Sequence, residues 1–354
     1  MIVALTGANG FLGSHIARAL TRAGLTVRAL VRQGASTRYL KRLQHLELRE
    51  LADTSLPCLR QALAGADALV HNAALARDWG RYRDFHEANV LYTRRALEVA
   101  AELGIRQVVH ISSNAVLGEE DCREPKAVSA PYRARLPYLL EGLLPSAMNH
   151  YRVTKAEGEK AALEIARGAK LDLTVLRPVW IFGPREEHSG PYEYCRTVVS
   201  GTPLFPGTDD NLFHAVYVED VARAVRLALA KRLPGVHLFN IGPKEVLPMR
   251  RYFGLYCAAL GRKQPAKLPK WLLYPLALLL EASSLLLRTK NPPLLTRARL
   301  YMLYANNVYD VSDAERLLGF RAETDLALAV RKTVRWWRLN RFLPKPSSSS
   351  QRSS

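Results

Sequence analysis

Eight residues near the start, Thr6-Gly7-Ala8-Asn9-Gly10-Phe11-Leu12-Gly13, restrict the fold more than any other stretch of this chain. They follow an apolar run, Ile2-Val3-Ala4-Leu5, and lead straight into a helical pattern, Ser14-His15-Ile16-Ala17-Arg18-Ala19-Leu20. A glycine-spaced turn between a buried strand and a helix is a phosphate cradle. Gly7 permits the tight turn, Gly10 lets the backbone approach a pyrophosphate, and Gly13 lets the helix pack close to the sheet. Phe11 and Leu12 belong to the same cradle. The helix N-terminus adds free N–H groups and the positive end of a dipole. The spacing is G-x-x-G-x-x-G rather than the plain G-x-G-x-x-G, so the flanking strand and helix carry the reading. A bound dinucleotide is expected.

The first half of the chain alternates short apolar runs with amphipathic stretches, which reads as βαβ units and a parallel sheet. Strands are expected at 2–6, 26–31, 46–51, 68–72 and 107–112, with later strands of the same sheet at 173–176 and 237–241. Helices are expected at 12–23, 56–64 and 89–103, the first and last of these stopped by Gly24 and Gly104. The fold class is therefore α/β: a Rossmann-type, doubly wound parallel sheet over residues 1–180, with a smaller C-terminal substrate lobe over 181–340. Between Glu119 and His150 the rhythm breaks around Pro125, Pro131, Pro137 and Pro145. That stretch reads as a long excursion over the site mouth. Pro344–Ser354 is a Pro/Ser tail and reads as disordered.

Tyr151 and Lys155 stand four residues apart, on one face of a helix. A phenol ionises near pH 10, and a cation nearby draws that value toward neutrality, so the ring can exchange protons during turnover. Upstream, the apolar strand ending in Ser112 and Ser113 puts hydroxyls at the C-terminal sheet edge, where ligands of open α/β folds sit.

With these motifs in order, the chain resembles the extended short-chain dehydrogenase/reductase superfamily, over roughly residues 1 to 340. Val70-His71-Asn72-Ala73-Ala74 resembles the segment after strand four, Asn89-Val90 the family's Asn-Val, and Leu176–Pro184 its L-R-P-x-x-I-Y-G-P. Val216–Ala222 is similar to its V-x-V-x-D-V-A. The resemblance implies Ser113, Tyr151 and Lys155 as the catalytic residues. It implies cofactor contacts from Ala73, Asn89, Pro178 and Ile181, and from Tyr151 and Lys155 themselves. The implied reaction is hydride transfer, with Lys155 lowering the Tyr151 pKa and holding the nicotinamide ribose, and Ser113 orienting the substrate oxygen. Leu117 departs from the tyrosine usual in the sugar-nucleotide branches, and Arg49-Glu50 from a frequent Gly-Asp.

At the end of strand two, Val31 stands where NAD-selective enzymes carry an acidic residue, and Arg32 follows. Arg32, helped by Arg38, suits a 2′-phosphate, so NADP(H) is favoured over NAD(H). The substrate is read from 271–287, a strongly apolar segment flanked by Lys267, Lys270, Arg288 and Lys290. It is shorter than the ~20 residues of a membrane span, so it is either an interfacial helix or a buried helix of the substrate lobe. The pattern is closest to the 3β-hydroxysteroid and 4-carboxysterol dehydrogenase branch, which implies a secondary alcohol or ketone on a sterol-like or long-chain lipid. The rivals are a nucleotide-sugar enzyme or small-carbonyl reductase, and a regulator without chemistry.

The chain carries 51 Lys and Arg against 32 Asp and Glu, a net of +19. With no nucleic-acid motif present, an anionic membrane surface or anionic cofactor ranks above DNA as the partner. Four scattered cysteines argue against zinc and disulfides, so no metal is expected. No signal peptide is read at the N-terminus. The expected location is cytoplasmic, with peripheral contact on the cytosolic face of a membrane left open, as is a homodimer.

Overall fold

The computed structural model describes residues 1–187, 190–201, 204–289 and 291–344. Lys290 and all of the expected tail beyond Pro344 lie outside them. The first run is β1 (Ile2–Thr6), α1 (Phe11–Arg22), β2 (Thr26–Arg32), β3 (Leu46–Leu51), α2 (Leu56–Leu63), β4 (Ala68–His71), α3 (Tyr82–His86), α4 (Tyr92–Glu102) and β5 (Gln107–Ile111). There follow β6 (Cys122–Lys126), α5 (Ala147–Gly168), β7 (Asp172–Pro178), β8 (Trp180–Phe182), α6 (Gly190–Ser200), β9 (Leu204–Pro206), β10 (Leu212–Phe213), β11 (Ala215–Tyr217), α7 (Val218–Lys231) and β12 (Val236–Ile241). The chain closes with β13 (Leu247–Pro248), α8 (Met249–Leu260), β14 (Ala266–Leu268), α9 (Lys270–Leu286), α10 (Arg297–Tyr304), β15 (Asn307–Tyr309) and α11 (Leu326–Leu339).

Seven parallel strands form one sheet in the order β12-β7-β5-β4-β1-β2-β3. Its inner strands are apolar on both faces because helices cover both; all four residues of β4 are buried. The strand order reverses between β1 and β4, whose ends pair Thr6 with His71. Ligands of open α/β sheets bind outside such a switch point.

The expected strands and helices in the first half match the observed ones to within a residue, with one exception. The helix expected at 89–103 begins seven residues earlier as α3 and passes through a π-helical turn at Glu87–Leu91 before α4. The expected excursion at 119–150 is also more structured than its prolines imply. It supplies β6, which pairs with β15 at the far end of the chain, in a second sheet ordered β13-β10-β15-β6. Being an edge strand, β6 tolerates Pro125, whose missing N–H would break a central ladder.

α9 occupies the apolar segment. Its inward stripe is Leu273, Ala277, Glu281 and Ser284, and its outward stripe is Leu272, Leu276, Leu279, Ser283 and Leu286. Among the described residues no helix is long and apolar enough to cross a membrane.

Candidate active site

The glycine turn folds as its spacing demands. Gly7 sits at φ +63°, and a Cβ there would lie 2.9 Å from Ala73 Cα. A Cβ on Gly13 would lie 2.1 Å from the Gly7 carbonyl oxygen, so any side chain would push α1 off the strand end. Gly10 is the N-cap of α1; it has no side chain to satisfy the first-turn N–H groups, and no acidic residue follows in that turn. Those N–H groups, next to Phe11 and the buried Leu12, face the switch point. An anionic pyrophosphate fits this cradle sterically and electrostatically.

Beneath the turn lies a hydrogen-bonded relay. Thr6 Oγ1 accepts from the backbone N–H of Asn72 and of Ala73, both at 3.0 Å, and meets His71 Nδ1 at 3.0 Å. His71 Nε2 meets Thr93 Oγ1 at 3.0 Å, and the Thr93 hydroxyl donates to the Asn89 carbonyl at 2.8 Å. Because Thr93 spends its proton on Asn89, His71 must donate from Nε2 and accept at Nδ1. Burial holds this imidazole neutral, its pKa lowered to about 3, with Lys155 adding to the effect. His110 stacks on it at 5.4 Å and is likewise pushed down by burial.

Asn89 sits within the π turn, and its side chain is a tie. Its Oδ1 accepts from Leu75 N at 2.7 Å, and its Nδ2 donates to Thr154 Oγ1 at 3.1 Å. It thereby binds the loop after β4 to the helix that carries Tyr151. Such turns recur at functional sites because they re-aim a side chain.

On α5, Tyr151, Lys155 and Glu159 follow one another at four-residue steps on one face. Ser113 caps the short turn after β5, accepting from Ala115 N at 3.2 Å and donating to Asn114 Oδ1 at 3.5 Å, with the Tyr151 phenol close enough to feel its hydroxyl. Ser112, its neighbour, instead donates inward to Glu159. Burial raises the Tyr151 pKa, and the Ser113 hydrogen bond is the largest influence opposing the rise. Glu119 adds to the rise and Arg152 opposes it. Lys155 Nζ donates to the Ile111 carbonyl at 2.8 Å, which turns it toward the end of β5. Burial lowers its pKa to about 8, with Glu159 pulling it up.

Of the other expected contacts, Pro178 ends β7 and Ile181 lies on β8 beside Val216. The same segment returns to the cradle where His15 Nε2 meets the Pro184 carbonyl at 2.9 Å. Arg32 is exposed at the end of β2, with no side-chain partner among the described residues. Arg38 is not its free helper: it pairs with Glu187, which also accepts from Tyr39 OH at 2.7 Å.

Beyond Tyr151 the structure adds charges that sequence reasoning missed. Arg152, fully buried, pairs with Glu119 and donates to Tyr138 OH at 2.6 Å. Arg177 on β7 pairs with Glu159, which also accepts from Tyr132 OH at 2.7 Å. A cavity of about 30 Å³ beside Asn114 and Glu119 is walled by Trp180, Phe213, His214 and Tyr309. Their one local signal is Glu159, four residues beyond Lys155; the other partners lie too far apart in sequence to be paired by pattern.

Residues 3–242 match the NAD dependent epimerase/dehydratase family. The chain is 28% identical over 339 residues to the 2-alkyl-3-oxoalkanoate reductase of Stenotrophomonas maltophilia (strain K279a), covering 94% of this chain and 98% of that one. It is 26% identical over 341 residues to the sterol-4-alpha-carboxylate 3-dehydrogenase, decarboxylating, of Mus musculus, covering 93% and 88%. Among solved structures, MoeE5 in complex with UDP-glucose and NAD aligns with a TM-score of 0.70 at 25% identity, over 96% of this chain and 99% of that one.

Proposed function

The chain belongs to the NAD-dependent epimerase/dehydratase family, and from that premise we propose that it is an NADP(H)-preferring oxidoreductase interconverting a secondary alcohol and a ketone on a hydrophobic, sterol-like or long-chain lipid substrate. A dinucleotide whose pyrophosphate is held by the Gly7–Gly13 cradle would bring a nicotinamide able to supply or accept the hydride. Tyr151 gives a proton to the carbonyl oxygen in reduction and takes it back in oxidation. Its raised pKa keeps the phenol protonated at neutral pH, ready to donate. Ser113, beside that phenol, holds the same substrate oxygen. Lys155, charged below about pH 8, is steered by the Ile111 carbonyl and Glu159 toward the cofactor side of the helix.

The substrate class rests on one observation. Arg28, Arg152, Arg177 and Arg297 are the buried arginines among the described residues, and each is paired with a glutamate. No fully buried guanidinium among the described residues is therefore left unpaired to clamp the diphosphate of a sugar nucleotide. The relatives named as a 2-alkyl-3-oxoalkanoate reductase and a sterol-4-carboxylate dehydrogenase act on apolar molecules that also carry a carboxylate, and the reading is compatible with either. NADP(H) is favoured by Val31 and the uncommitted Arg32.

The test is NADPH-dependent reduction of a long-chain β-keto ester and of a 3-ketosteroid, run beside UDP-glucose. Turnover of the hydrophobic ketones is expected, with Tyr151→Phe lowering kcat by about 10²–10⁴. Turnover of UDP-glucose with both hydrophobic ketones inert overturns the substrate class.

A further inference from the structure

α9 inverts the usual polarity of a surface helix. Its single acidic residue, Glu281, faces inward and is fully buried, while leucines face out. Trp271 is 76% exposed, Leu279 68% and Leu286 84%, with Leu272 and Leu276 exposed between them. A helix apolar on every side belongs in a core or against lipid, and here one side has no protein over it.

A second segment widens the patch. Leu139, Leu140 and Leu143, the last 79% exposed, lie in the turn-rich stretch before α5. Arg297, at the start of α10, clasps both segments. It bonds Glu281 through Nε at 3.0 Å and Nη2 at 3.1 Å, and donates to the carbonyls of Leu139 and Leu144. Arg297 thus ties two segments with exposed leucines to one another.

The rim of that surface is cationic. Lys270 and Arg288, at the two ends of α9, are exposed and have no carboxylate partner among the described residues. We propose that this leucine face, with Trp271 at its edge, docks in the plane of an anionic lipid bilayer. Charge selects this occupant over a second copy of the chain: two copies at +19 each would bring like-charged rims together, whereas anionic headgroups neutralise them. A tryptophan at the rim of a leucine face matches the headgroup level, where its apolar ring and polar N–H are both satisfied. The surface also borders the site mouth. Trp79, in the loop after β4, donates to the Thr289 carbonyl just past α9, and Arg299 on α10 pairs with Asp78 of the same loop.

The test uses the full chain and no substrate, so its outcome is independent of the oxidoreductase reading. Co-sedimentation is measured with vesicles of phosphatidylcholine alone and of phosphatidylcholine and phosphatidylglycerol in equal parts. Binding to the anionic vesicles is expected, weakened by salt, with a blue shift of tryptophan emission that Trp271→Phe removes. Leu279→Gln with Leu286→Gln should cut binding at least tenfold, and Lys270→Ala with Arg288→Ala should remove the preference for anionic lipid. Wild-type protein that stays in the supernatant with both vesicles overturns the proposal. So does a dimer in light scattering that the leucine variants dissociate while vesicle binding stays unchanged. Should the leucine variants not fold, quenching of wild-type tryptophan emission by bromine-labelled lipid decides the same question.

Discussion

The cradle at the β1–β4 switch point and the α9–α10 pair solve burial in opposite ways. At the cradle, apolar strands face inward on both sides, the buried histidines stay neutral, and the polar groups close on one another through Thr6, His71, Thr93 and Asn89. At α9 an ionised pair is inside and the leucines are outside. The first arrangement closes its Thr6–His71–Thr93–Asn89 chain of bonds but leaves both ring nitrogens of His110 and the first-turn N–H groups of α1 without a side-chain partner. The second satisfies its charges within and leaves its leucines exposed.

The sharpest way to break this contrast is Glu281→Ala. It strands the Arg297 guanidinium, which has no solvent exposure, and should cost about 3–5 kcal/mol in urea unfolding. A loss below about 1 kcal/mol would mean the pair is not the clasp described.

Acid should act chiefly on the cradle side. His15 and His71 have folded pKa values lowered to about 3 by burial, below the ordinary 6.5. As pH falls below 6.5, the unfolded chain takes up these protons before the folded one, so stability drops until pH reaches about 3. Each histidine should cost about 2 kcal/mol by pH 5, read as a falling urea midpoint. A midpoint flat from pH 6.5 to 4.5 would refute the neutral, buried assignment.

A smaller effect is expected at Arg32→Ala, which should raise KM for NADPH about tenfold, or about 1.4 kcal/mol, and leave KM for NADH unchanged. Equal changes for both cofactors would assign Arg32 to adenine stacking. The smallest effect is expected at Leu279→Gln, whose unfolding free energy should stay within about 0.5 kcal/mol of wild type, since that side chain packs on little in the free protein. A loss of 2 kcal/mol or more would place Leu279 in a core and erase the contrast.

The two regions also differ in how readable they are. The cradle lies in contiguous residues, because turn, strand and helix are local and Gly10 and Gly13 answer to Gly7 a few residues away, although Gly7 itself is hemmed in by Ala73, just past the neighbouring strand β4. The Tyr151–Lys155 pair is legible for the same reason. The charge pairs Glu119–Arg152, Glu159–Arg177 and Glu281–Arg297 are not, since their partners are brought together by tertiary packing. β6 was hidden by its prolines and by a partner strand at the far end of the chain. Lys155 was read from its spacing to Tyr151, yet a backbone carbonyl on β5, invisible to any side-chain pattern, sets where its amine points. For the apolar segment at 271–287 the sequence left an interfacial or a buried helix open; in the structure one face of α9 packs inward while the other is exposed.

Tyr138 carries a consequence of its own. Its ring lies 5.9 Å from the guanidinium of Arg152 and 5.9 Å from that of Arg297. One cation follows Tyr151 in sequence, and the other is bonded to Glu281 of α9. A single phenol ring thus spans the ground between the helix that carries Tyr151 and Lys155 and the helix whose leucines lie bare.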